Sequence, residues 1–98
     1  MSDTINKKFE KAYSTAGGKS PLTIPWTLLF ELLQKLLAGL CLAKDIKELT
    51  KKHPIYVRGR LRREMLRNGK TMKEAGILAD AAVETINKTS VADLTLLA

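Results

Sequence analysis

The sequence predicts a mainly α-helical protein that folds as a single compact domain of about five helices around a Leu-rich central helix. Residues that begin or end helices recur along the 98-residue chain, whereas the apolar/polar alternation typical of strands is nearly absent. The length is typical of one domain, and an apolar content of 45% is sufficient for a hydrophobic core. We therefore expect residues 1–98 to form one domain, with residues 89–98 as a tail or a last helical turn.

Capping residues and apolar periodicity place the individual helices. The predicted helices are residues 2–16, 25–42, 45–52, 54–68 and 71–88. The second helix is apolar over most of its circumference, which favours a central position in the bundle. The fifth helix follows a capping box, Thr71-Met72-Lys73-Glu74. If the chain has any strand, we expect it in one short β-hairpin near residues 69–73.

Positive charge is concentrated in the middle of the chain. The net charge is +7, but residues 44–73 contain eleven Lys or Arg and three Asp or Glu, and they carry +8 by themselves. Residues 1–43 carry +2 and residues 74–98 carry −3. A basic block of this kind favours binding to a polyanion, usually a nucleic acid and less often an anionic lipid. The alternative is a solvated basic surface that serves solubility.

The predicted fourth helix is the most informative part of this block. It has five arginines and no lysine, and an arginine can place two hydrogen bonds on a phosphate or stack on a base. At about 100° per residue, one ridge about 60° wide consists of Tyr56, Arg60, Arg63 and Arg67. The residues expected to anchor the helix in the core are Val57, Leu61 and Met65. An aromatic residue on a basic ridge is typical of proteins that bind RNA or single strands.

The expected nucleic-acid site extends beyond this ridge, because other basic residues flank it. The predicted site residues are Lys47, Lys51, Lys52, Tyr56, Arg58, Arg60, Arg62, Arg63, Arg67 and Lys70. We expect RNA to be favoured over DNA as the partner. The alternative for this helix is a charged outer face on which Tyr56 is half-buried.

Other kinds of function have little support in the sequence. Cys41 and His53 fall on different predicted elements, so we expect no enzyme, no metal site, no cofactor and no small-molecule substrate. A single cysteine excludes an internal disulfide and indicates a reducing compartment. The most apolar stretch, residues 22–43, contains Glu31 and Lys35, which argue against a membrane span. We therefore expect a cytoplasmic protein with no membrane partner.

The N-terminal third resembles a known family. Its motif is Phe9-x-x-x-Tyr13-Ser14-x-x-Gly17-x-x-x-Pro21-Leu22-x-Ile24. This motif is similar to the N-terminal segment of ProQ/FinO-type RNA-binding domains, in which a helix end leads through a short loop into Pro-Leu-Lys-Ile-Gly-Ile. Two later segments also resemble that family, namely His53-Pro54-Ile55-Tyr56-Val57 and Arg67-Asn68-Gly69-Lys70.

The resemblance implies a mostly helical RNA chaperone that acts in post-transcriptional regulation. Such domains bind stem-loops with a single-stranded 3′ tail on a basic concave face. By this resemblance, Tyr56 matches an RNA-contacting tyrosine and Lys70 lies near the family's basic turn. The chain departs from the family at Thr23 and Pro25, where the family has lysine and glycine, and its capping box replaces the family's Asp-Leu-x-Gly hairpin.

Two alternatives from other classes remain at this point. In a helix-turn-helix DNA-binding regulator, residues 45–49 would belong to the supporting helix and residues 54–67 would form the recognition helix. In a helical protein-interaction module, the Leu-rich second helix would dock a partner protein.

Overall fold

The computed structural model describes residues 2–19, 24–36 and 43–95, and these residues form α-helices and connecting turns without any β-strand. The helices are α1 (Ser2–Thr15), α2 (Trp26–Leu36), α3 (Ala43–Lys52), α4 (Pro54–Arg67), α5 (Met72–Lys88) and α6 (Val91–Thr95). The radius of gyration is 12.1 Å, close to the value of about 13 Å for a compact domain of 100 residues. The prediction of a mainly α-helical single domain is therefore confirmed.

The connection between α4 and α5 is a turn, so the short hairpin allowed for near residues 69–73 is absent. Gly69 has a positive φ of 88°, and the amides of Gly69 and Lys70 donate to carbonyls in the last turn of α4. This pattern is a Schellman motif, in which glycine is favoured because it adopts a left-handed backbone without strain. Two residues later, the hydroxyl oxygen of Thr71 accepts a hydrogen bond of 3.1 Å from the amide of Glu74 and caps α5.

The helix with the most extensive packing among the described residues is α5. It contacts α4 and α1 over long stretches and α3 over a shorter one, whereas α2 makes small contacts with α1 and α4. The alanines on its buried surface allow close approach of its neighbours; they are Ala75, Ala79, Ala81 and Ala82. Among the described residues α5 therefore has more neighbours than the Leu-rich second helix, of which residues 37–42 lie outside the described part of the chain.

The second helix is nevertheless part of the core. Trp26, Leu29 and Leu33 are completely buried, and the indole ring of Trp26 packs edge-on against Phe9 with the ring centres 5.2 Å apart. Leu94 of α6 is also completely buried, so the last helical turn packs on the same core. Cys41, which the sequence placed on the second predicted helix, lies outside the described residues. Within those residues, no helix is long and apolar enough to cross a membrane.

Candidate nucleic-acid interface

The position of α4 is fixed by a short connection and by one apolar stripe. Only His53 separates α3 from α4, and Pro54 occupies the first position of the helix, where its missing amide hydrogen has no cost. Val57, Leu61 and Met65 are at most 1% exposed and anchor α4 in the core, as the sequence predicted. The opposite side of the helix therefore faces solvent.

This outer side contains an open groove of about 460 Å³. Four of the residues predicted from the sequence line it, namely Tyr56, Arg60, Arg62 and Arg63. Tyr56 is 54% exposed, so about half of its surface is available to a partner. The structure thus brings one aromatic ring and three guanidinium groups together at one place.

Three further lining residues were missed by the sequence analysis: Ile55, Gly59 and Leu66. Ile55 is 81% exposed and Leu66 is 37% exposed, so the groove has an apolar part as well as a basic one. At about 100° per residue, Gly59 lies opposite the buried stripe and at the centre of the outer face. The ridge predicted from the sequence is centred about 70° away from Gly59, because it was drawn through Tyr56 and three of the arginines without reference to the buried stripe. The sequence does contain a signal for this centre, because the centre lies on the side of the helix directly opposite the buried residues Val57 and Leu61.

Arg60 contributes to the groove and also to the fold. It is half-buried, and its Nη2 atom donates a hydrogen bond of 3.2 Å to the carbonyl of Leu36 at the end of α2. Its Nε atom is buried without a hydrogen-bond partner among the described residues. Part of this guanidinium group is therefore held between α2 and α4 and is less available to a ligand than the arginines that follow it.

Three of the predicted site residues form contacts within the protein and lie outside the groove. The Nε atom of Arg58 donates to the carboxylate of Asp80 on α5, and Lys47 donates to the backbone carbonyl that follows α5. Lys52 donates a hydrogen bond of 3.0 Å to Glu48, and this bond holds the pKa of the Glu48 carboxyl below its ordinary value. These contacts occupy basic groups that the sequence had assigned to binding.

The remaining predicted residues differ in how freely they face solvent. Arg67 is largely exposed, with its Nη1 atom 3.9 Å from a carboxylate oxygen of Glu64. Lys51 is exposed and Lys70 is half-buried, and neither lines the groove. Arg62 and Arg63 are exposed and form no ion pair with any described residue. These two arginines are therefore the positive charges at the groove that are available to an anion.

The described part of the chain contains no group of three or more His, Cys, Asp or Glu residues that could hold a metal ion. No protein-family model matches the chain, and neither a curated protein nor a solved structure matches it.

Proposed function

We propose that this protein binds RNA through the outer face of α4. The observation that carries the proposal is the exposed pair Arg62 and Arg63 beside the exposed ring of Tyr56, on a helix whose other side is anchored in the core. The guanidinium groups supply paired hydrogen bonds to phosphate oxygens. The tyrosine supplies a flat surface on which an unpaired base can stack, worth about 1–3 kcal/mol.

The charge distribution supports a polyanionic partner. The segment from residue 44 to residue 73 carries +8, and α4 contributes five arginines and a single carboxylate to it. The acidic residues of the C-terminal segment lie mainly on α5, where Asp80 is already paired with Arg58 and Glu84 with Lys88. The outer face of α4 therefore keeps its positive charge, and a polyanion would be steered towards it.

The choice of RNA over duplex DNA rests on two features of the same region. A base can reach the ring of Tyr56 only if it is unpaired, and RNA loops and tails offer such bases. A helix-turn-helix motif joins its two helices through a turn of about three or four residues, whereas α3 and α4 are separated by His53 alone. This short connection favours RNA over a helix-turn-helix motif that would read the DNA major groove.

The resemblance to ProQ/FinO-type domains gives the proposal its more specific form. We propose a stem-loop with a single-stranded tail as the ligand, and a role as an RNA chaperone in post-transcriptional regulation in the cytoplasm. In this form of the proposal, Tyr56 contacts the single-stranded part of the RNA, and the arginines contact its phosphates.

The test is a binding titration with a matched control. Fluorescence anisotropy would compare a tailed hairpin RNA, its DNA analogue and a random DNA duplex. The double variant Arg62→Ala with Arg63→Ala removes two charges from the groove. The control variant Lys7→Ala with Lys11→Ala removes two charges from exposed positions on α1 and has the same net charge.

We expect the groove variant to bind the tailed hairpin RNA at least about tenfold more weakly, because each hydrogen bond to a charged phosphate is worth about 1.5–3 kcal/mol. We also expect the slope of log K against log salt to fall by about 1.4–1.8, since each lost phosphate contact removes about 0.7–0.9. The α1 variant should bind nearly as the original protein does. Equal losses in both variants would contradict the proposal, and tighter binding to the DNA analogue would favour a DNA-binding regulator. Absence of any nucleic-acid binding would favour the protein-interaction module.

A further inference from the structure

We infer that the groove centred on Gly59 holds one unpaired nucleobase, which enters between the apolar and the basic side chains of the outer face of α4. This inference rests on the proposed RNA-binding function, and it names the chemical group that the groove recognises. It concerns the centre of the outer face rather than the arginines at its edges.

The first observation is that the fold gives no reason for a glycine at position 59. Gly59 is exposed in the middle of α4, and a Cβ atom added there would meet no heavy atom within 4 Å. Its φ is not positive, so the backbone does not require glycine either. Glycine in a helix interior is less stable than alanine. What the missing side chain does create is the floor of the groove.

The second observation is the arrangement of side chains around that floor. By helical geometry, Ile55 and Leu66 lie on one side of Gly59, and Tyr56 and Arg63 lie on the other. Arg62 also lines the groove and lies at the outer edge of the first side. One wall is therefore aliphatic next to Gly59 and basic at its rim, and the other consists of an aromatic ring and a guanidinium group. A planar base fits between such walls, because aliphatic and aromatic groups pack on its faces and arginine also stacks on bases.

The third observation favours a base rather than a phosphate as the occupant of the groove. A phosphate needs hydrogen-bond donors and gains nothing from apolar walls, yet Ile55 is 81% exposed and is the most exposed large apolar side chain in the described part of the chain. The groove of about 460 Å³ is at the small end of the range of about 300–1,000 Å³ for small-molecule sites. That size suits one nucleotide rather than a duplex. The phosphates on either side of this base would then meet the exposed arginines.

The experiment uses two groove variants and a control glycine. Gly59→Ala and Gly59→Leu place progressively larger side chains on the groove floor, and both residues favour helix. Gly76 on α5 also has no heavy atom within 4 Å of an added Cβ, and it does not line the groove, so Gly76→Ala is the matched control. We expect Gly59→Ala and Gly76→Ala each to raise the Tm by about 4–8 °C, because an added side chain in a helix interior is worth about 1 kcal/mol.

Binding should separate these variants although their stabilities change in the same direction. With a hairpin RNA that has a single-stranded tail, Gly59→Leu should bind about 5- to 150-fold more weakly, the range expected for loss of one stacked base. Gly59→Ala should show a smaller loss, and Gly76→Ala should show none. Tyr56→Ala should weaken binding within the same range, whereas Tyr56→Phe should keep most of the affinity.

A tail made of abasic nucleotides tests directly whether the groove holds a base. If it does, the original protein should bind the abasic tail about as weakly as Gly59→Leu binds the normal tail, and combining the two changes should cause no further loss. Undiminished binding of the abasic tail would overturn the inference, and so would full affinity in Gly59→Leu. In both cases RNA binding by the arginines would stand. If the original protein binds none of the RNAs, the proposed function fails, and this inference fails with it.

Discussion

Among the described residues, α4 and α5 pack against each other more extensively than any other pair of helices, yet they differ in what surrounds them. Seven of the 17 residues of α5 are buried, because α1, α3 and α4 all pack on it. Only three of the 14 residues of α4 are buried, all on one side. The sequence of α5 is thus largely determined by packing, whereas most of α4 is free to serve a partner.

Because of this difference, we expect residues important for folding to be concentrated on α5 and residues important for binding to be concentrated on the outer face of α4. Ala79 and Ala82 on α5 are small because other helices approach closely there, and changing them disturbs the core. Arg62 and Arg63 on α4 contact nothing that the fold depends on, so changing them should leave stability within about 0.5 kcal/mol of the original value. Substitutions that strongly lower stability should therefore be most frequent on α5, and substitutions that weaken binding should lie on the outer face of α4.

The largest effect that we expect on stability is from Leu78→Ala on α5. Leu78 is completely buried, and truncation of a buried leucine lowers the free energy of unfolding by about 2–5 kcal/mol. Urea unfolding would measure this loss, and an RNA titration under conditions where the variant remains folded should give the original affinity. A loss of affinity in the folded variant would break the separation between the two helices.

An intermediate effect on stability is expected from removing a hydrogen bond between α1 and α5. The Tyr13 hydroxyl lies 2.9 Å from a carboxylate oxygen of Glu74 and donates to it. Burial raises the pKa of Tyr13 above its ordinary value of about 10, and the hydrogen bond to Glu74 raises it further. Tyr13→Phe should lower the free energy of unfolding by about 1.5 kcal/mol, the lower end for a bond to a charged group, because Glu74 is half-exposed and becomes hydrated.

The same hydroxyl makes stability depend on pH in a defined direction. The folded state holds the tyrosine proton more tightly than the unfolded chain does. The stabilisation that this hydroxyl provides is therefore complete below about pH 10 and is lost as the pH rises above that value. Unfolding free energies measured from about pH 9 to about pH 11 should therefore fall more steeply for the original protein than for Tyr13→Phe. Parallel curves would show that this hydroxyl is not the group that titrates.

The smallest effect on stability is expected from breaking an ion pair between α4 and α5. Arg58 and Asp80 form an ion pair with side chains that are 41% and 48% exposed, and pairs of this kind contribute about 0.2–1 kcal/mol. A double-mutant cycle with Arg58→Ala and Asp80→Ala would measure the coupling in urea unfolding. Arg58→Ala should leave the RNA affinity nearly unchanged, because Arg58 does not line the groove. If Arg58→Ala lost as much RNA affinity as the Arg62 and Arg63 substitutions, the binding surface would have to include this ion pair.

The sequence predicted the helices well where their ends have chemical signals. The capping box at Thr71 and the glycine at position 69 placed the end of α4 and the start of α5 to within one residue. It was less accurate for α3, which was predicted to begin at residue 45 and begins two residues earlier, at Ala43, with Asp45 in its first turn. It did not indicate that α5 has the most neighbours among the described residues, because periodicity shows which side of a helix is apolar and not how many neighbours that side has.

The candidate site was predicted only in part for a related reason. The spacing of Val57, Leu61 and Met65 was enough to give the buried side of α4 and the exposure of Tyr56. The contact from Arg58 to α5 and the contact from Arg60 to α2 depend on tertiary neighbours, which the spacing within one helix does not contain. These contacts divide the arginines into those that serve the fold and those that face solvent.

The loop after α1 has a consequence for how the chain tolerates sequence change. Gly17 has a φ of 100°, and a Cβ atom added to Gly18 would overlap the ring of Tyr13. Moving that ring would displace its hydroxyl from Glu74 and so disturb the contact between α1 and α5. In a library with every substitution at each glycine, selection for folded protein should deplete nearly all variants at positions 17 and 18. The same selection should accept many variants at position 59, and only a second selection for RNA binding should remove them.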